Sequence, residues 1–125
     1  MLEIDKMSRV PIYEQVIQKL ELLILTNVLG PNSPLPSVRA LSQELSVNPN
    51  TLQKAYSDLE LKGICYSVPG TGRFISENAK DILMRSKREK LEQFKNLVNE
   101  LKLAGICAKE LKLLIEQIYN ISGKE

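Results

Sequence analysis

The chain has 125 residues, 43% of them apolar, and a formal net charge of +2 at neutral pH. That size fits one compact domain with an appendage, and the composition argues against a disordered chain. With no histidine, no tryptophan and two cysteines, the sequence offers no nucleophile–base pair, no P-loop and no cluster of metal ligands, so an enzyme is not expected.

No apolar run reaches the ~18 residues of a membrane-spanning helix. The opening MLEIDKMSRVP lacks the apolar stretch of a signal peptide. A cytoplasmic protein with no membrane partner and no cofactor is expected. Cys65 and Cys107 are far apart, and two isolated buried thiols are favoured over a disulfide. Residues 1–76 carry seven Lys/Arg against seven Asp/Glu, and residues 77–125 carry ten against eight.

Residues 2 to 9 read as an extended or irregular lead-in. Pro11 suits the first turn of a helix. Ile12, Val16, Leu20, Leu23 and Ile24 then recur at helical spacing, widened by Tyr13 and Ile17, to about Thr26. Gly30 and Pro31 mark a loop, and Pro34 and Pro36 keep the next stretch extended. Ser37 can cap a second helix, or Pro36 lies just inside its start, with Ala40, Leu41 and Leu45 inward. Ser46-Val47-Asn48-Pro49 breaks it. Asn48 is a good N-cap and Pro49 a good first residue for a third helix. Its inward side carries Leu52, Ala55, Tyr56, Leu59 and Leu61 or Ile64, and it ends at Lys62-Gly63.

Ile64 to Ser67 and Arg73 to Ser76 read as short strands joined by Pro69-Gly70-Thr71-Gly72. A long helix follows, from about Asn78 to Leu103. It carries the stripe Met84, Leu91, Phe94, Val98 and Leu101, widened by Ile82, Leu83 and Leu97. Gly105 breaks the pattern. A last helix, roughly Ala108 to Ile121, carries Leu111, Leu114, Ile115, Ile118 and Ile121. Cys107 and Glu110 occupy the places of a capping box, with a sulfur where an oxygen works best.

The predicted fold is mainly α with a small β-hairpin wing: a winged helix-turn-helix over residues 1–76, then a two-helix dimerisation appendage over 77–125. That order places one helix in a DNA major groove. Asn50, Thr51, Gln53 and Lys54 lie at the start and on the polar face of the third helix. Asn and Gln pair bidentately with adenine, Thr offers a hydroxyl or methyl, and Lys54 reaches a phosphate or a guanine edge. Asn48 caps this helix and can touch backbone. Arg39 has the reach for a base edge or phosphate. In the wing, Thr71, Gly72 and Arg73 are the candidate contacts: glycine permits close approach, and arginine enters a narrow minor groove. Tyr56 and Tyr13 are read as core rather than contact. The bland alternative is a set of ordinary surface residues and a hairpin with Arg73 in solvent.

These segments resemble the GntR family of bacterial transcription regulators, in particular its small YtrA-type branch. The resemblance rests on PIYEQVIQKL (Pro11 to Leu20), LPSVRALSQELSVNPNT (Leu35 to Thr51), AYSDLELKG (Ala55 to Gly63) and GTGRFI (Gly70 to Ile75). It is tight over residues 9 to 76 and looser beyond. It implies an N-terminal winged helix, homodimers on palindromic operators, repression as the common role, and genes that often neighbour those of ABC transporters. Arg39 matches the family arginine that reads DNA from the second helix. Asn48, Asn50 and Thr51 match the polar start of the recognition helix, and Gly70 to Gly72 the wing tip. Two positions depart from the family pattern. Val68-Pro69 stands where basic residues often precede the wing glycine, and Gln53 stands where many relatives have Ser or Arg.

The C-terminal stripes need a cover. Packing of the last two helices covers part, and a second copy of the chain covers the rest through a twofold interface. Met84, Leu91, Phe94, Val98, Leu101, Leu111, Leu114 and Ile118 are the expected pairing residues. Between such helices there is room for a small apolar effector, but not for a dedicated ligand domain. The basic run Arg85 to Lys90 can approach the DNA backbone, but a solvated helical face is favoured. The expected function is a homodimeric repressor on double-stranded DNA, nucleoid-associated when bound. The competing reading is a winged-helix interaction or architectural module that does not read bases.

Overall fold

The computed structural model describes residues 2–121. Its elements are α1 (Ile12–Leu25), α2 (Val38–Leu45), α3 (Pro49–Leu61), β1 (Cys65–Val68), β2 (Gly72–Ile75), α4 (Ala79–Leu103) and α5 (Ala108–Ile121). They form two compact units, one ending at Ser86 and the other beginning at Lys87. The mainly helical architecture with a hairpin wing is the expected one.

The first unit is a three-helix core with the hairpin against it. Pro11 caps α1 rather than starting it: its carbonyl accepts from the amides of Glu14 and Gln15, each at 3.1 Å. Val16, Leu20 and Ile24 supply the buried stripe. Gln15 on the same helix is buried and organises the lead-in. Its amide nitrogen donates to the carbonyls of Asp5 (2.9 Å) and Val10 (2.8 Å), and its oxygen accepts from the Asp5 amide at 2.8 Å. Leu2 is thereby held in the core, a burial that no periodicity in so short a segment announces.

Ser37 caps α2, its Oγ accepting from the Ala40 amide at 3.0 Å. The helix stops at Ser46, which takes a left-handed φ of 54°. Leu41 is buried and Leu45 half-buried, but Ala40 is exposed, contrary to expectation, and Ser42 is buried instead. Two turns of helix carry too few apolar residues to fix a phase, so packing against α3 chooses the face. Leu52, Ala55, Tyr56 and Leu59 of α3 are all buried. Of the two residues left open at its end, Ile64 is buried and Leu61 is 88% exposed.

The strands pair antiparallel, Cys65 opposite Ile75 and Val68 opposite Gly72, one residue away from the expected spans. The turn sets this register. Thr71 donates its amide to the Val68 carbonyl at 3.0 Å, and Gly70 has φ 77°. With Pro69 before that glycine, this is a type II turn. The extended stretch before α2 also pairs with β2. Leu35 donates to the Arg73 carbonyl (2.8 Å), Asn32 to that of Ile75 (2.7 Å), and Ile75 to that of Ser33 (2.8 Å). Pro34, bridged to Phe74, tolerates this edge position because it has no N–H to lose. Ala79 and Leu83 at the start of α4 complete the core.

In the second unit α4 continues to Leu103, Gly105 turns the chain with φ 91°, and α5 follows. No described side chain of this unit is buried. Val98, Leu101, Ile106 and Leu111, around the turn, are partly covered. That is the partial cover expected from packing of the last two helices, and it leaves much of the stripes open. Phe94 remains 48% and Ile118 65% exposed. Cys107 is exposed, not buried as expected, because it sits in that open turn. Cys65 is buried, and its thiol donates to the Tyr56 carbonyl at 3.8 Å. Burial pushes this thiol up to about 11, the negative charge of Glu60 adds to the rise, and Arg73 opposes it. It therefore stays protonated and unreactive at neutral pH.

Candidate nucleic-acid interface

The site begins at the cap of α3. The Asn48 side-chain oxygen accepts from the Asn50 amide at 2.8 Å, and Pro49 opens the helix. Asn48→Ala is expected to cost about 1 kcal/mol of stability in thermal denaturation; a loss below ~0.3 kcal/mol would show that the cap is supplied by other groups.

Beyond the cap the helix divides cleanly. Leu52, Ala55 and Tyr56 face the core, while Asn50 and Gln53 are exposed and Thr51 half-exposed. The Gln53 amide nitrogen donates to the Ser57 hydroxyl at 3.2 Å, which steadies a long side chain on the outer face. Lys54 is also exposed, but its ammonium lies 4.1 Å from the centre of the Tyr13 ring. Tyr13 is thus half-buried, with its ring serving as a platform for the lysine. Arg39, one residue into α2, is exposed, and its guanidinium has no partner among the described residues.

The wing tip carries Thr71 and Gly72, both exposed. They border a groove shared with Pro36, Ser37 and Val38. The tip therefore lies beside the start of α2, next in sequence to the exposed Arg39. Arg73 departs from this pattern. Its Nε is 3.3 Å from the Glu60 carboxylate and its guanidinium lies over the Tyr56 ring, 5.3 Å from the centre. Glu60 also accepts from the Ser67 hydroxyl at 2.9 Å. Tyr56 is core, as read from its spacing, and its hydroxyl donates to the Pro36 carbonyl at 2.7 Å. Burial holds this hydroxyl well above the usual tyrosine range; Arg73 counters part of the rise and Cys65 adds to it.

Sequence reading missed Glu60. It appears there only as one of several charged residues on an outer helical face, and its partners are distant along the chain. Among the remaining cations, Lys6 donates to the Ser46 carbonyl at 3.0 Å and Lys62 pairs with Asp58 at 3.1 Å. In a domain with balanced charge, these engagements leave Arg39 as a prominent unpaired cation, exposed beside the groove that the wing tip borders. No group of His, Cys, Asp and Glu suited to a metal occurs among the described residues. No described helix is long and apolar enough to cross a membrane.

Residues 12–75 match the family described as bacterial regulatory proteins, gntR family. Over 124 residues the chain is 44% identical to the HTH-type transcriptional repressor YtrA of Bacillus subtilis, covering 98% of this chain and 93% of that protein. A GntR family transcriptional regulator from Listeria monocytogenes superposes with a TM-score of 0.73 at 30% identity, covering 91% of this chain and 98% of its own. The DNA-binding domain of AraR, solved in complex with an operator, superposes with a TM-score of 0.54 at 31% identity, covering 60% of this chain and 93% of that one. The family and these relatives are regulators of transcription rather than enzymes. A family match running from α1 to the end of β2, and a likeness to YtrA along nearly the whole length, place the chain in the GntR family of bacterial regulatory proteins, in its small YtrA-type branch.

Proposed function

We propose that the protein is a homodimeric repressor that occupies a palindromic operator through two copies of its winged helix. The observation that carries this reading is the exposure of Asn50 and Gln53, with Thr51 half-exposed between them, at the start of α3, with Arg39 unpaired and the wing tip beside the start of α2. Asn50 and Gln53 are the base readers, Thr51 reads a methyl or hydroxyl partner, and Arg39 reaches a base edge or a phosphate. Asn48 and Lys54 support the helix and approach the backbone. Thr71 and Gly72 approach the flanking minor groove.

Pairing is supported by the apolar stripes of the second unit. Leu91, Phe94, Leu114 and Ile118 remain exposed there, and Val98, Leu101 and Leu111 are only partly covered. Met84, which the sequence counts with them, is exposed at the end of the first unit. Such surface suits a second copy. Two copies place their reading helices in successive major-groove faces, about 34 Å or a multiple apart. Repression agrees with the role in the name of the B. subtilis relative. The site of action is the cytoplasmic nucleoid, and a transporter operon is the expected target class.

The test is footprinting on the DNA upstream of the protein's own gene, with and without candidate small molecules, against an excess of unrelated duplex. The expected result is two symmetry-related protections and an affinity that falls steeply with salt. Equal affinity for unrelated duplex would replace this reading with that of an architectural module. A small molecule that releases the footprint would identify an effector.

A further inference from the structure

Glu60 and Arg73 form a junction that the reading face does not use. One carboxylate oxygen of Glu60 accepts from Ser67 on β1 at 2.9 Å and from Arg73 on β2 at 3.3 Å. These partners are 7 and 13 residues further along the chain. A single side chain of α3 thus holds both strands of the wing. Arg73 extends the junction, with its guanidinium over Tyr56 and its carbonyl accepting from the Leu35 amide. Tyr56 in turn donates to Pro36, just before α2. The reading helix, both strands and the entry to α2 therefore meet at one arginine.

A two-stranded hairpin has little stability of its own, so its direction is set by what it is tied to. The ion pair is partly exposed, with Glu60 at 40% and Arg73 at 22%, and supplies direction more than stability. Electrostatics points the same way. A phosphate approaching Arg73 would have to displace Glu60 or meet its negative charge, so this arginine has little free charge to exchange for condensed counterions. We propose that Glu60 is the positioning residue of the wing, and that Arg73 serves DNA binding as part of this latch rather than as a phosphate or base contact. The proposal rests on the operator-binding function above and deepens it.

The test titrates the full chain and its variants E60A, E60Q, R73Q and E60A/R73Q against the footprinted operator over a range of salt. Simple charge counting says that removing a carboxylate near DNA tightens binding. The latch requires the opposite. E60A should weaken binding about threefold to tenfold, as loss of a partly exposed pair and a hydrogen bond allows. E60Q, whose amide oxygen still accepts from Ser67, should fall between E60A and the unaltered chain. R73Q should weaken binding with an unchanged salt slope. The double variant should be no weaker than the weaker single, because both act on one junction. In E60A, protection at the outer flanks of each half-site should fade while the central major-groove protection persists.

Binding by E60A that is unchanged or tighter overturns the latch. So does a salt slope in R73Q shallower by about one, which would make Arg73 a phosphate contact. E60Q, together with thermal melting of each variant, separates wing direction from loss of fold. Absence of operator preference in the unaltered chain would overturn the underlying reading and the proposal with it, whereas the variant outcomes bear on the latch alone.

Discussion

Replacing Leu91 and Phe94 together by aspartate is expected to leave a monomer that binds a full operator about a hundredfold more weakly, or worse, than the unaltered chain. Both side chains lie on α4, 56% and 48% exposed, outside the first unit. Four charges placed across a paired interface, two from each copy, would be desolvated without partners, which no apolar seam tolerates. The reading face is untouched, so a single half-site should be bound as before. The loss falls on the linkage between half-sites. Sedimentation reports the monomer, and operators with one or two half-sites report the linkage. A double variant that remained dimeric would place the pairing surface elsewhere. The first unit should keep its far-UV signature and cooperative melting, since neither residue contributes to its core.

The second large effect is on the reading helix itself. Leu52→Ala is expected to lower unfolding stability by about 2–5 kcal/mol in urea, a large share of the ~5–15 kcal/mol that holds a domain of this kind. Leu52 is fully buried between Thr51 and Gln53. It joins α3 to the Val16–Leu20 stripe of α1 within one core. Truncation leaves a cavity at the centre of a small core, with few neighbours free to close it. Operator affinity would fall as well, because the same turn of helix presents both the anchor and the readers. A loss below ~1 kcal/mol would mean that the core relaxes into the space, and that α3 is less firmly seated than its burial indicates.

The legible part of this fold was its punctuation. Ser37, Asn48-Pro49, Gly63 and Gly105 each mark a helix end by a local chemical device, so helix limits followed from neighbouring residues alone. The bounds of α5 came directly from its apolar spacing. Features that depend on distant partners were hidden. Pro34 and its neighbours read as merely extended, because nothing local says that β2 lies alongside. Ala40 was assigned inward because an eight-residue helix fixes no phase. Leu2 is buried only because Gln15, on another element, gathers the lead-in.

The same division runs through the site. Asn48, Asn50, Thr51, Gln53 and Arg39 stand where the pattern of caps and polar positions puts them. Lys54 and Arg73 were visible as cations, but not as engaged ones. Tyr13 and Glu60, which engage them, come from α1 and from the far end of α3. Charge counts give the supply of cations; tertiary placement decides which are free.

The absence of buried side chains among the described residues of the second unit bears on dosage. A helix pair without an interior of its own gains order from its mate, so for it folding and association become one bimolecular event. The melting of this part would then rise with protein concentration, while that of the winged helix would not. Occupancy of a twofold operator would grow faster than linearly with the number of chains made. A modest change in synthesis or turnover would thereby throw a sharper switch at the promoter, with no ligand required.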